Sequence, residues 1–328
     1  MNILITGGTG FIGSRLALSY LKKGDKVSVL GQENTEAEKE NSTLIKDNGA
    51  EVILASVLDK DIINQITINK DYIFHFAAAQ HEMNIPDQKF WDVNVEGTKN
   101  IISSAISNGV KRFIHGSTIG VYGSLQGEIN EESPTNPNNI YEQTKLEAEK
   151  LVLSNVDKIP TVVIRIPETF GPGDRRLLKL FKGIKKNAFV MVGKGKNLHH
   201  LMYIDDLIEG MYLASENNEA VGQIFLFAGQ KAITTNEMIS IIARNFNNNF
   251  PKIRLPLTPM MLTAVFLEKT LRPLGIQPPL HRRRMDFFVK GYQLSTKKSN
   301  KILGFSPKFD FDTGVKETKK WYEQNGLL

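Results

Sequence analysis

The sequence predicts an α/β protein with a doubly wound parallel sheet and a smaller, mostly C-terminal α/β domain. Three observations predict it. Short apolar runs with β-branched residues alternate with helical patterns over roughly the first 150 residues, the pattern of a parallel sheet with crossover helices. The first run stops at a glycine-rich bend, Gly7-Gly8-Thr9-Gly10-Phe11-Ile12-Gly13, which opens into a helix. The chain has 328 residues of ordinary globular composition, enough for one large domain or two unequal ones.

Met1–Thr6 (MNILIT) is the first strand, and Leu16, Leu18, Tyr20 and Leu21 mark the helix after the bend, ended by Gly24. Lys26–Leu30 is the second strand and Glu51–Ala55 the third. Asp61–Thr67 is a helix, and Tyr72–Phe76 is a fourth strand running into Ala77-Ala78-Ala79. Trp91–Asn108 is a long helix carrying Asn94 and Gly97, and Arg112–His115 is a fifth strand leading to Ser117 and Thr118. In such sheets ligands bind at the carboxyl ends of the strands, which aligns the bend, the three alanines, Thr118 and Tyr141 along one edge. Further on, Asn236–Phe246 is a helix, Leu255–Pro259 is broken by prolines, and Met260–Leu271 is a strongly apolar helix. That last helix is core of the small domain, a wall over an apolar substrate, or a surface helix resting on a membrane.

Composition excludes several classes. The chain has no cysteine, so disulfides and thiolate metal sites are out. No apolar run approaches the roughly 20 residues of a transmembrane helix, and no signal-peptide pattern opens the chain; a cytoplasmic address is the expectation. The net charge is +6, and His281–Lys308 alone holds eight Lys/Arg against Asp286. One such cluster reads as a solvated face or an anion site rather than as a nucleic-acid stripe. His199 and His200 are adjacent, so on a strand they face opposite ways and no third ligand converges; no metal is expected. Asp205-Asp206 reads as a strand–helix turn.

The chemistry lies in two motifs. Glycines at 7, 10 and 13 allow positive φ, let backbone approach a pyrophosphate and let the helix pack on the strand, with the helix N-terminus facing the phosphate. The small residues Ala77–Ala79 suit a backbone that lies against the same cofactor. The second strand ends in Gly31-Gln32, with Glu33 late and no Arg, so neither NAD nor NADP is selected. Tyr141 and Lys145 stand four apart in a run of good helix formers, on one face and one turn apart. An ammonium beside the phenol lowers its pKa from about 10 and makes a usable acid/base pair.

With TGGTGFIG (6–13), Asn94–Thr98, STIGVYG (117–123), Tyr141–Lys145, Arg165 with Gly171–Asp174, Tyr203–Leu207, Leu303–Phe305 with Pro307, and Trp321-Tyr322 assembled, the chain resembles the extended short-chain dehydrogenase/reductase superfamily over nearly its whole length. Its relatives there are NAD-dependent epimerases and dehydratases and 3β-hydroxysteroid dehydrogenase-like proteins. The resemblance implies a Rossmann-type sheet in which Tyr141 is the acid/base, Lys145 holds the nicotinamide ribose, and Thr118 hydrogen-bonds the reacting oxygen, with Ser117 structural. It places cofactor contacts at Gly7, Gly10, Phe11, Ile12, Gly13, Gln32, Ser56, Val57, Ala77, Ala78, Ala79, Asn94, Tyr141, Lys145 and Pro167. It places substrate contacts at Thr118, Glu168, His199 and Arg284, the last in the Arg282–Arg284 run that could meet a phosphate.

The resemblance also implies a dinucleotide-binding domain of residues 1–165 plus about 199–228 and a substrate domain of about 166–198 plus 229–328. A homodimer through the helices at 91–108 and 140–153 is the expected assembly. Ile119-Gly120 stand where 4,6-dehydratases carry an acidic pair, and Glu168 stands where many epimerases carry Asn. The activity implied is hydride transfer at a secondary alcohol carbon, of a nucleotide-sugar in an epimerase. The alternatives are a net dehydrogenase or reductase of an apolar hydroxy/keto substrate, as in 3β-hydroxysteroid dehydrogenases or dihydroflavonol reductases, and a non-catalytic dinucleotide sensor.

Overall fold

The computed structural model describes residues 1–80, 85–124, 127–271, 276, 278 and 280–328, and the side chain of Arg283 lies outside that description. From the N-terminus the chain runs β1 (Asn2–Thr6), α1 (Phe11–Lys22), β2 (Lys26–Gly31), α2 (Glu36–Asp47), β3 (Glu51–Leu54), α3 (Lys60–Ile66) and β4 (Tyr72–His75). Helix α4 (Asp87–Trp91) continues through one π-turn at Asp92–Glu96 into α5 (Gly97–Ser107), and β5 (Arg112–Thr118) follows. The long helix expected at 91–108 is therefore interrupted, and β5 extends through the two hydroxyl residues expected just beyond it. Helix α2 had no counterpart in the sequence pattern; a Thr35–Glu38 capping box starts it.

After a 3₁₀ turn at Ile119–Tyr122 come β6 (Glu128–Ile129), α6 (Ile140–Leu153), β7 (Thr161–Ile166), β8 (Thr169–Phe170), α7 (Leu178–Lys185), β9 (Met191–Val192), β10 (Leu198–His199), β11 (Met202–Tyr203), α8 (Ile204–Glu216) and β12 (Gln223–Leu226). The chain ends with β13 (Ile233–Thr234), α9 (Thr235–Asn245), β14 (Arg254–Leu255), α10 (Leu257–Leu271), α11 (Arg282–Val289), β15 (Gln293–Leu294), α12 (Lys297–Leu303) and α13 (Phe311–Gln324). The segment expected to be broken by Pro256 and Pro259 instead starts α10. Proline is tolerated in a first helical turn because the N–H it lacks there has no partner to lose.

Seven strands form one sheet in the order β12-β7-β5-β4-β1-β2-β3, every pairing parallel. Parallel strands put all carboxyl ends at one edge, so Thr6, His75, Thr118 and Ile166 finish there together. The sheet is covered on both faces. Ile3, Ile5, Phe74 and Ile164 meet Leu16, Tyr20 and Leu207 on one side, while Leu4, Ile73, Phe113 and Val163 meet Ile101, Ile102 and Val152 on the other. The paired two-residue strands outside the sheet fasten the later segments: β6 to β15, β8 to β11, β9 to β14 and β10 to β13. Asp206 accepts the backbone N–H groups of Lys308 and Phe309, each at 3.0 Å, so the Asp-Asp turn ties α8 to the C-terminal segment.

Candidate active site

The bend between β1 and α1 is shaped for an anion. Gly7 has φ +70°, and a Cβ there would stand 2.7 Å from the Ala77 nitrogen; one on Gly13 would stand 2.5 Å from the Gly7 carbonyl oxygen. Only glycine permits that turn and that closeness. Gly10 precedes α1 with no side chain capping the helix, so the first N–H groups after it stay available to phosphate oxygens. These observations fit a dinucleotide pyrophosphate on Gly7, Gly10, Phe11, Ile12 and Gly13. At the end of β2 the Gln32 carbonyl accepts from the Thr9 hydroxyl (2.8 Å), and its amide oxygen accepts from Asn34 (2.8 Å). An amide stands where a ribose-binding acid or a phosphate-binding arginine would choose the cofactor.

Beyond β3, the Ser56 hydroxyl accepts from the Leu58 N–H (3.1 Å) and the Val57 carbonyl accepts from Asn100 (3.2 Å). Val57 packs so tightly on α5 that a Cβ at Gly97 would lie 2.5 Å from its methyl. The alanine loop after β4 is braced twice. Ala77 donates to the Thr6 hydroxyl (3.3 Å), and Asn94 exchanges two hydrogen bonds with the backbone of Ala79, at 2.7 and 3.2 Å, while donating to Thr144 on α6 (2.9 Å). Asn94 is fully buried and spends its amide on the protein. The π-turn is the local change that aims it at both loop and helix.

Tyr141 is the second residue of α6, whose start is capped by Asn139 accepting from the Glu142 N–H. The crossover from β5 to β7 begins at the carboxyl edge of the sheet, so this first turn stands beside Thr118. The Thr118 hydroxyl accepts from the Gly120 N–H (3.0 Å), which orients it and leaves its own proton for another acceptor. Ser117 points into the protein, buried and without a hydrogen-bond partner among the described residues. Lys145 is 2% exposed, and burial pulls its ammonium down to about 8, opposed by Glu149 one turn further on. Glu149 forms a buried two-point pair with Arg165 of β7 (2.6 and 3.1 Å); Arg165 also reaches the Tyr122 hydroxyl (2.5 Å) and the Glu131 carbonyl (3.0 Å). This network locks α6, β7 and the turn after Thr118 to one another.

Beneath Lys145 lie two fully buried histidines that no local pattern marked. The Thr98 hydroxyl donates to the Asn94 carbonyl, so His75 Nε2 donates to Thr98 (2.9 Å) and its Nδ1 accepts from Thr6 (2.6 Å). Burial and the nearby Lys145 hold His75 down to about 3, and burial with Lys145 and His75 holds His115 well below its ordinary value. Both are neutral parts of the frame.

At the end of β7, Pro167 accepts from Thr169 (3.1 Å), and the Glu168 carboxylate faces His199 Nδ1 at 3.4 Å. Burial pushes Glu168 up, but His199 and Arg176 outweigh it and hold the carboxyl below its ordinary value. The other ring nitrogen of His199 meets Thr235 (3.0 Å), and its ring lies 4.8 Å from Phe287. Tyr292 brings a buried hydroxyl against Glu168; burial and the charge of Glu168 push it well above its ordinary value. Tyr292 comes from a distant part of the chain, and neither it nor Arg176 had a sequence signal. His200 is spent on structure, donating to the Gly229 carbonyl (2.9 Å) and accepting from the Leu294 N–H (3.0 Å). Arg284 lies exposed on α11, whose far end packs on His199.

Residues 3–228 match the NAD-dependent epimerase/dehydratase family. The chain is 28% identical to a dTDP-glucose 4,6-dehydratase of Streptomyces niveus, over 99% of this chain and 94% of that one. It is 24% identical to the N-acetyl-alpha-D-glucosaminyl-diphospho-ditrans,octacis-undecaprenol 4-epimerase of Escherichia coli O157:H7, over 98% and 95%. Its fold is similar to that of the UDP-glucuronic acid 4-epimerase from Bacillus cereus in complex with NAD, with a TM-score of 0.82 at 23% identity and 99% coverage of both chains. With the parallel sheet, the glycine bend and a match across most of its length, the chain belongs to the NAD-dependent epimerase/dehydratase family of extended short-chain dehydrogenase/reductase enzymes.

Proposed function

We propose that this enzyme is an epimerase that inverts a secondary alcohol carbon of a nucleotide-linked sugar while retaining NAD. Bound NAD supplies a reversible hydride acceptor. The glycine bend and the Ala77–Ala79 loop hold the cofactor, and residues of about 166–198 and 229–328 hold the sugar. Tyr141 takes the hydroxyl proton as the carbinol carbon gives up its hydride, leaving a ketone; the hydride and proton then return, the hydride to the opposite face of that carbon. Thr118 donates its free proton to the reacting oxygen and orients it. Lys145 stabilises the phenolate form of Tyr141.

The observation that carries this reading is the burial of Lys145 one helical turn after Tyr141, beside the carboxyl end of β5. A charge held out of water acts more strongly on its neighbour than the same charge in solvent. Two further features favour epimerisation of a sugar. Ile119 and Gly120 after Thr118 supply no acid for eliminating water. Glu168, His199 and Tyr292 are polar groups suited to a hydroxylated ring rather than to an apolar one.

The test incubates the protein with UDP- and dTDP-hexoses and NAD, separates products by chromatography and follows absorbance near ~340 nm. The expected result is an isomerised sugar without net absorbance change, and a loss of about 10²–10⁴-fold in turnover for Tyr141→Phe with cofactor affinity unchanged. A stoichiometric rise in reduced cofactor would make the enzyme a net dehydrogenase. Full activity in Tyr141→Phe would remove the tyrosine from the chemistry.

A further inference from the structure

We propose that α10 and its flanking segments form a docking face for an anionic lipid bilayer, on which the protein lies without crossing it. The inference is independent of the catalytic reading. On its inner side α10 packs Ala264, Met260 and Met261 against Met285 and Phe288. On its outer side stand Leu262 and Phe266, one turn apart and each 65% exposed. Ile253 just before the helix and Ile276 just after it, whose N–H is bound by the Leu271 carbonyl (3.1 Å), are exposed as well. A helix packed on a water-soluble core turns its polar residues outward; this one turns out Leu262 and Phe266.

The charge of this stretch of sequence points to what covers it. From Lys252 to Arg284 the chain carries seven Lys/Arg and a single acid, Glu268, a balance of +6 that equals the net charge of the whole chain. Lys252, Lys269, Arg282 and Arg284 are exposed on the helix and the segments flanking it, with Arg282 3.9 Å from Glu268. Apolar side chains that insert at the acyl boundary, rimmed by cations that meet anionic headgroups, are the two components of interfacial binding. A second copy of this chain would bring the same positive rim against it. The fifteen residues of α10 span only about 22 Å, short of a ~30 Å hydrocarbon core, and no helix among the described residues is long and apolar enough to cross a membrane.

Flotation with phosphatidylcholine vesicles, with and without about one-third phosphatidylglycerol, tests the proposal. The protein should float with the anionic vesicles at low salt and much less with the neutral ones. Lys252→Gln with Lys269→Gln should weaken anionic binding by at least tenfold, since each cation near such a surface contributes roughly fivefold. Leu262→Glu with Phe266→Glu should abolish it while leaving the melting temperature and cofactor binding unchanged, because both side chains are exposed in the folded chain. Equal flotation of this variant, or no flotation of the unaltered protein at low salt, overturns the proposal. So does vesicle-independent self-association in sedimentation that the same variant removes, which would make the face a contact between copies.

Discussion

Helix α6 is the more polar of two helices that bury opposite things. It buries Glu142, Thr144, Lys145 and Glu149 along with Ala148 and Val152, whereas the apolar α10 fully buries only Ala264. Hydropathy alone would assign them the other way round. The difference lies in what each helix is packed against. Helix α6 lies on β5 and β7, where each buried polar group finds a partner: Thr144 meets Asn94, Glu149 meets Arg165, and Lys145 has Glu149 within electrostatic reach. Among the described residues, helix α10 has a small cluster behind it, Met285 and Phe288 of α11 with Val192 of β9 and Leu280, and its other face is left uncovered. A paired polar residue can be buried, and an apolar residue with nothing above it stays exposed.

Four measurements break or sharpen this comparison. The largest effect is expected from Arg165→Met, which strands the Glu149 carboxylate beneath α6; chemical denaturation should show a loss of about 3–5 kcal/mol. A change under 1 kcal/mol would mean that α6 is not held by its ion pair. Next is the alkaline limb of stability in cofactor-free protein. Lys145 is held near 8 in the fold against 10.5 in the unfolded chain, so between those values the unfolded chain carries the extra proton and stability rises with pH. The rise should total roughly 3 kcal/mol and vanish in Lys145→Met.

The acid limb follows the same linkage, each histidine carrying the same slope per pH unit as Lys145. His75 and His115 stay neutral in the fold, so as pH falls below about 6.5 the unfolded chain gains protons that the fold refuses, and stability drops. Each histidine should contribute about 1.4 kcal/mol per pH unit down to about 3 for His75, and His75→Asn should flatten the limb. The smallest effects compare the helices directly. Val152→Ala, in the core under α6, should cost about 1–2 kcal/mol. Phe266→Ala removes a larger side chain from α10 yet should stay within about 0.5 kcal/mol, because the ring is mostly exposed already. Equal costs would show that α10 is covered in the free protein.

The sheet was legible because its signals are local. A strand, a glycine bend and a helix occupy consecutive residues, and β1, α1, β2, β3 and β4 begin and end within about two residues of where periodicity places them. The spacing of Tyr141 and Lys145 needs only the helical repeat. Helix α2 was missed because its polar sequence shows little apolar stripe, and its start rests on a capping box. The π-turn was missed because it serves a contact between Asn94 and a loop some fifteen residues earlier.

By itself the sequence determined the sheet, the cofactor bend and the face of α6 that carries the phenol and the amine, since each depends on neighbours a few residues apart. Tertiary structure alone decided that Lys145 is buried and its pKa lowered, that Arg165 and Glu149 pair across sixteen residues, and that Glu168 meets His199 with Tyr292 close by. It also decided that the apolar stripe of α10 stays uncovered. Burial and pairing depend on which distant segments arrive at the same place, and that is a property of the packed chain rather than of any window along it.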